Sequence, residues 1–298
     1  MGGRARWAVA VCTVGMLWGC PDGGGGGGGG GDENDAVVIG DAEVDAAPSG
    51  VPYTGEIAAL PDDAELDERS FYPTPVGGVW RYRKKPDVIE NLPPVTEGGE
   101  AEIVPGEGEN EFVRTLTLII DLPVDGEMTK VRQTIRETYV VEPPVELVGP
   151  IVRFKRLEID ERAVEDQRFV REVIREYDPP YKMISDAWRT GTFDTRLEFS
   201  DIRMYESVLR RGQEEPTVLD GVIVNVQVTT SDRPQILPIE GAYRDELRQV
   251  DVVDDLAGSI TRTYWVQQGI GAVQLQYRDA NNVLYTLTET NLETPAAE

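Results

Sequence analysis

The chain has no histidine, and its only cysteines are Cys12 and Cys20, both near the N-terminus. Without imidazole or a thiol in the remaining residues, Ser-His-Asp and Cys-His nucleophile systems, histidine-ligated zinc and structural disulfides are all excluded from the body. A metal site there could use oxygen ligands alone. Positive charge is also scarce. Lys and Arg number 29 against 54 Asp and Glu, for a net charge of −25. A surface of this sign repels phosphate backbones, and no basic stripe with interleaved aromatics appears, so nucleic-acid binding is not expected. Aromatics make up only 7% of the chain, and no run is long and apolar enough to cross a bilayer comfortably as a helix.

What is present begins with an address. Arg4 and Arg6 form a positive start, and Trp7 to Trp18 form a mostly apolar run of about a dozen residues, the length of a signal h-region. The run ends in Leu17-Trp18-Gly19-Cys20. This resembles the lipobox of bacterial lipoproteins, with Leu three residues before the Cys and a small residue directly before it. The resemblance implies cleavage after Gly19 and a lipid anchor on Cys20. Taken without it, the same stretch would serve as a plain secretory signal with an incidental Cys, or as an uncleaved apolar anchor. Loss of residues 1–19 would leave 27 basic against 54 acidic residues.

Nine glycines, Gly23 to Gly31, follow, and then an acidic stretch through Asp45 with few large apolar residues. Glycine loses the most backbone entropy on ordering, so residues 20–65 are expected to act as a disordered tether. Over some forty to fifty residues its reach would be roughly 35–40 Å.

The remainder, residues 66–298, is expected to form a single β-rich domain. Val222, Val224, Val226 and Val228 alternate with Ile223, Asn225, Gln227 and Thr229, giving a strand with one buried face. Phe112, Leu116, Leu118 and Ile120 give another, and Val124-Asp125-Gly126 turns it into the Thr-containing run Met128 to Val141 as a hairpin. Further strands fit residues 151–159, 167–177, 195–199, 262–266, 272–277 and 283–290. The last two flank a turn at Asp279 to Asn282. The alternation slips by one between Phe154 and Leu157, which predicts a bulge. Asp62 to Arg69, the spacing Ile202, Tyr205, Leu209 and the spacing Tyr243, Leu247, Val250 admit short helices. The fold class expected is mainly β: a large curved antiparallel sheet, as a half-barrel or sandwich, with at most one or two short helices.

Phe71 to Tyr82 (FYPTPVGGVWRY) resembles the phrase that opens the folded region of many uncharacterised bacterial exported lipoproteins: an aromatic, a Pro, a Gly turn and a Trp starting the first strand. Tyr264 to Val273 (YWVQQGIGAV) is similar to their late phrase. Tyr177-Asp178-Pro179-Pro180 with Trp188 and the Gly191-Thr192 turn partly echoes the opening one. The resemblance implies a β-rich envelope domain able to hold an apolar ligand or a partner, and no activity. On the residues themselves, Trp80, Trp188 and Trp265 either plug the core or form a ligand-facing aromatic platform. Gly269-Ile270-Gly271 has no helix behind it and lacks the rest of a dinucleotide fingerprint.

Carboxylate pairs such as Asp160 with Glu161, or Asp251 with Asp254 and Asp255, can be drawn anywhere in so acidic a chain and read first as solvated faces. Ser185, Ser200, Ser207, Ser231 and Ser259 stand in no nucleophile elbow. No catalytic residue, cofactor or metal site is assigned. The expected role is a lipid-anchored module of the bacterial cell envelope, at the outer membrane or periplasmic face, binding a lipid, a glycan or an envelope protein. The alternative is a carboxylate-dependent hydrolase acting on envelope glycans, which needs two acids roughly 5–9 Å apart in a cleft.

Overall fold

The computed structural model describes residues 56–64, 66, 70–84, 98–142, 150–183, 195–231, 247–255, 259–278 and 284–292. The chain divides into Met1–Asp45 and Ala46–Glu298, and everything described lies in the second unit. Within it twelve antiparallel strands close a ring: β1 (Val79–Lys84), β2 (Gly98–Pro105), β3 (Glu111–Val124), β4 (Glu127–Glu142), β5 (Ile151–Ala163), β6 (Phe169–Lys182), β7 (Thr195–Arg210), β8 (Thr217–Ser231), β9 (Arg248–Asp254), β10 (Ser259–Gln267), β11 (Gly271–Tyr277) and β12 (Leu284–Thr290). Each strand pairs with its neighbours in sequence, and β1 pairs with β12 to close the circuit. The mainly-β, curved antiparallel expectation holds, and closure leaves the sheet as a whole without the two outer strands of an open one.

The alternation of side chains explains why these residues make strands. In β3, Arg114, Leu116, Leu118 and Ile120 are buried while the residues between them are partly exposed; in β8, Val224, Val226 and Val228 behave the same way. The outward phase carries Arg132, Arg136, Glu158, Asp160 and Arg162, some of them paired with each other. A barrel wall facing lipid would instead be apolar outside. The turn at Asp125-Gly126 is as expected, with φ values of 54° and 86° that favour Asp and Gly there. The slip before Leu157 is also observed: Tyr139 pairs with Phe154 but Thr138 pairs with Arg156, so Lys155 is the extra residue.

Three helical spacings resolve differently. Residues 202–209 are strand β7, and no helix occurs among the described residues. Ile202 and Met204 point inward and Tyr205 outward, so the spacing of 202, 205 and 209 combines two faces of one strand. Of 62–69, the described part holds only a turn at Asp62-Asp63. Tyr243 and the Asp279–Asn282 turn lie outside the described residues, whereas Leu247 leads directly into β9.

One end of the ring is stoppered by the segment before β1. Phe71 and Tyr72 are buried in the core, and Leu60 and Leu66 pack against it. The backbone N–H of Gly269 donates to the Ser70 carbonyl at 2.8 Å, and that of Gly77 to Ile103 at 3.1 Å. Gly77 needs its missing side chain twice over: its φ is 82°, and a Cβ would stand 2.9 Å from the Pro61 ring. At the opposite end the six strands β3 to β8 rise past the others. Their hairpin tips curl together, and Arg211 of the β7–β8 turn bonds Asp125 of the β3–β4 turn.

Candidate functional site

The interior of the ring is not purely hydrocarbon. Arg114 on β3 and Glu137 on β4 are register partners on the inward phase, and their side chains meet at 3.1 Å. Glu137 is 1% exposed. Burying such a pair is costly unless every remaining hydrogen-bonding position is used. Tyrosines supply those partners. Tyr139 Oη donates to Glu137 Oε2 at 2.8 Å, and Tyr264 Oη, from β10 on the far side of the sequence, donates to Oε1 at 2.6 Å. Arg114 Nη2 donates to Tyr82 Oη at 2.7 Å, and that hydroxyl donates to the Ala272 carbonyl at 2.7 Å. Four strands and the β11 backbone therefore converge on one ion pair.

The electrostatics follow from the same geometry. Burial, and after it the Glu137 charge, hold Tyr72, Tyr139, Tyr264 and Tyr277 well above the ordinary phenol value; burial also raises Tyr82, against the opposing pull of Arg114. For Arg114 burial works downward, but Tyr82, Tyr277 and Glu137 outweigh it and keep the guanidinium charged. Protonated phenols around a charged pair are donors with fixed targets. They are not acids poised to act near neutral pH.

Two further polar groups are built the same way. Glu161 on β5 is 2% exposed and receives Arg171 at 2.6 and 3.1 Å and Gln133 at 2.8 Å. Arg262 on β10 donates to the Tyr181 hydroxyl and lies over the Phe154 ring at 4.1 Å. Around it Tyr177 meets Phe154 and Tyr181 edge to face, and Phe154 and Tyr181 lie tilted to each other, with centroids 5.2–5.9 Å apart. Next to the stoppering segment, Tyr72, Pro73, Trp80, Ile103, Arg114 and Tyr139 help line a cavity of about 20 Å³. That is room for a water molecule, not for a lipid or a sugar ring. The Tyr72 hydroxyl has no hydrogen-bond partner among the described residues.

The residues singled out from sequence fall as follows. Trp80 is 2% exposed, and its indole N–H donates to the Ile270 carbonyl at 2.6 Å. Trp265 is 4% exposed and lies on the opposite phase from Tyr264. Neither ring is offered to solvent. Cys20 and Trp188 lie outside the described residues. Asp160 and Glu161 are consecutive in a strand and so point to opposite faces: Asp160 pairs outside with Arg162, Glu161 inside with Arg171. They cannot flank one bond in a cleft. Asp251 accepts from Gln249 and Thr263, and Asp255 from Asn225, while Asp254 faces inward. These three form no common site either.

Arg114 and Glu137 escaped the reading from sequence, although a signal existed. Glu137 keeps the inward phase of Ile135 and Tyr139, and Arg114 that of Leu116 and Leu118. A charge in phase with a buried set marks an interior ion pair when a second strand offers its opposite at the facing position. No protein-family model, curated protein or solved structure matches this chain.

Proposed function

We propose that this chain is a membrane-anchored lipoprotein of the bacterial cell envelope, held through lipid on Cys20 at the outer membrane or periplasmic face, whose β-ring is a non-catalytic module that engages a partner through its outer surface. The anchor rests on the Leu17–Cys20 lipobox pattern and the glycine tract after it. One observation carries the rest. Inside the described ring two buried carboxylates are each taken up by protein donors: Glu137 by Arg114, Tyr139 and Tyr264, and Glu161 by Arg171 and Gln133. Each carboxylate is buried and held by three hydrogen bonds, and the cavity lined by Arg114 and Tyr139 holds little more than water. Among the described residues, recognition then falls to the outside.

The experiment has two arms. Mass spectrometry of the chain isolated from bacterial membranes is expected to find an N-terminal peptide starting at Cys20 and carrying fatty acyl chains; an unmodified start at Met1 would end the anchor reading. Glu137→Gln and Glu161→Gln in the full chain are expected to change stability while creating or removing no glycan hydrolysis. Hydrolysis by the parent chain that either variant abolished would sink the non-catalytic reading.

A further inference from the structure

The ring is closed, yet among the described residues its long strands outrun their short neighbours at two places, β3 beyond Leu118 and, over a longer stretch, β8. β8 pairs with β7 from Thr217 to Thr230, but with β9 only from Val226 to Ser231. The last bond to β9 is from Asp255 N–H to the Asn225 carbonyl at 3.2 Å. Above it, residues 217–225 have a strand on one side and, among the described residues, nothing on the other. An edge of this kind presents a row of unpaired N–H and C=O groups, a template for another strand.

Native proteins usually blunt such edges with Lys, with Pro inside the strand, with bulges, or with very short length. This one runs Thr-Val-Leu-Asp-Gly-Val-Ile-Val-Asn with no Lys and no internal Pro. Its pairing with β7 shifts twice: at the bulge at Asp220-Gly221, opposite Tyr205, where Gly221 takes a φ of 62°, and at Asn225, which faces both Ser200 and Asp201. The side chains beside the edge are apolar and exposed: Val218 at 59%, Ile223 at 63%, Leu219 at 39% and Tyr205 at 37%. These four are a majority of the exposed large apolar residues among those described. Concentrated on one hairpin, they mark an interaction site rather than scatter.

Charge selects the occupant. From Gln213 to Asn225 the charged residues are Glu214, Glu215 and Asp220, all acidic, and Asp255 stands where the edge meets β9. Of the cations around it, Arg203 and Arg210 lie on β7, the side away from the opening, and Arg211 in the β7–β8 turn is paired with Asp125. A second copy of this chain would bring the same acids to the same edge, with a net charge of −25 behind each. We infer that residues 217–225 of β8 take up an extended segment of a partner protein, apolar at alternate residues and carrying Lys or Arg, as an added strand. This deepens the partner-binding reading above and does not depend on the anchor.

The probe is a fluorescent synthetic peptide of alternating Val and Thr with Lys at both ends, titrated by anisotropy into the full-length chain. A twin with Glu for Lys, and the chain carrying Ile223→Lys or Ile223→Val, are run beside it. Ile223 is mostly solvent-exposed, so neither substitution touches the core. Expected are saturable binding of the Lys peptide, at least about tenfold weaker binding of the Glu twin and of the Lys peptide to Ile223→Lys, near-parent binding to Ile223→Val, and a loss of affinity with added salt. Equal binding of both peptides, or Lys-peptide binding indifferent to Ile223→Lys, would overturn the assignment. So would a parent chain that is dimeric and that Ile223→Lys makes monomeric. A protein partner bound equally by the parent chain and Ile223→Lys would overturn the edge while leaving partner binding itself standing.

Discussion

The ring has two unlike halves. β3 to β8 are 13 to 16 residues long, whereas β9 to β12 with β1 and β2 are 6 to 9. At about 3.3 Å per residue the long strands exceed the short by roughly 20 Å. In the short half most residues have a strand on either side, the stoppering segment beneath, and burial reaching both phases of β10 and β11. In the long half the excess has left the ring, and its inward phase holds ion pairs, Arg171 with Glu161 and Arg175 with Glu206, where the short half has Leu275, Tyr277 and Tyr285. Closing the ring takes only the length of the short strands. The surplus is free to present an edge.

The largest effect should come where the halves are joined. Glu137 on β4 holds Arg114 of its own half and Tyr264 of the other, so Glu137→Leu leaves a buried guanidinium uncompensated and is expected to cost about 3–5 kcal/mol in denaturant unfolding. The double variant Arg114→Met/Glu137→Leu should recover much of that loss. A single variant costing under about 1 kcal/mol would mean that the two halves are not tied together here. Next comes a direct contrast of leucines. Leu275→Ala in fully buried β11 is expected to lose about 2–5 kcal/mol, and Leu219→Ala on the overhang under about 1 kcal/mol. Equal losses would erase the distinction.

A third expectation concerns alkaline pH. Burial raises Tyr72, Tyr82, Tyr139, Tyr181, Tyr264 and Tyr277 above the ordinary phenol value, so the fold keeps them protonated where the unfolded chain would ionise them. Their stabilisation is complete below pH about 10 and is lost as pH climbs from there toward the native values. Absorbance titration should show some of the 11 tyrosines ionising near pH 10, with these six following only as the protein unfolds. Smooth ionisation of all of them near pH 10 would contradict a closed interior. The smallest effect belongs to the outer wall, where Glu198→Ala, breaking the exposed pair with Arg196, should change stability by less than about 1 kcal/mol.

Much of the architecture is visible in residue order because period two is a local property. The Val222–Val228 alternation, the Asp125-Gly126 turn and the slip at Lys155 each depend on neighbours within a few residues. β2 was hidden because Gly98, Gly99 and Pro105 read as loop, although strands on both sides impose extension on them. β7 was blurred by the shifts around Asp201 and opposite Gly221, which move apolar residues from one face to the other. The Arg114–Glu137 cluster lay further from view. Its members are spread from residue 72 to residue 277, and only ring closure brings them together.

By itself, then, the order of residues determined a β protein without imidazole or thiol chemistry in its body, strongly acidic, with strands and turns placed by alternation and by Gly and Asp. Those properties follow from side-chain chemistry and short-range backbone preference. Tertiary structure alone decided that twelve strands close on themselves, that Tyr264 reaches Glu137 from 127 residues away, and that β8 outruns β9 to leave an edge. Pairing across long sequence separations depends on which registers bury the most apolar surface at once, and no local pattern carries that sum.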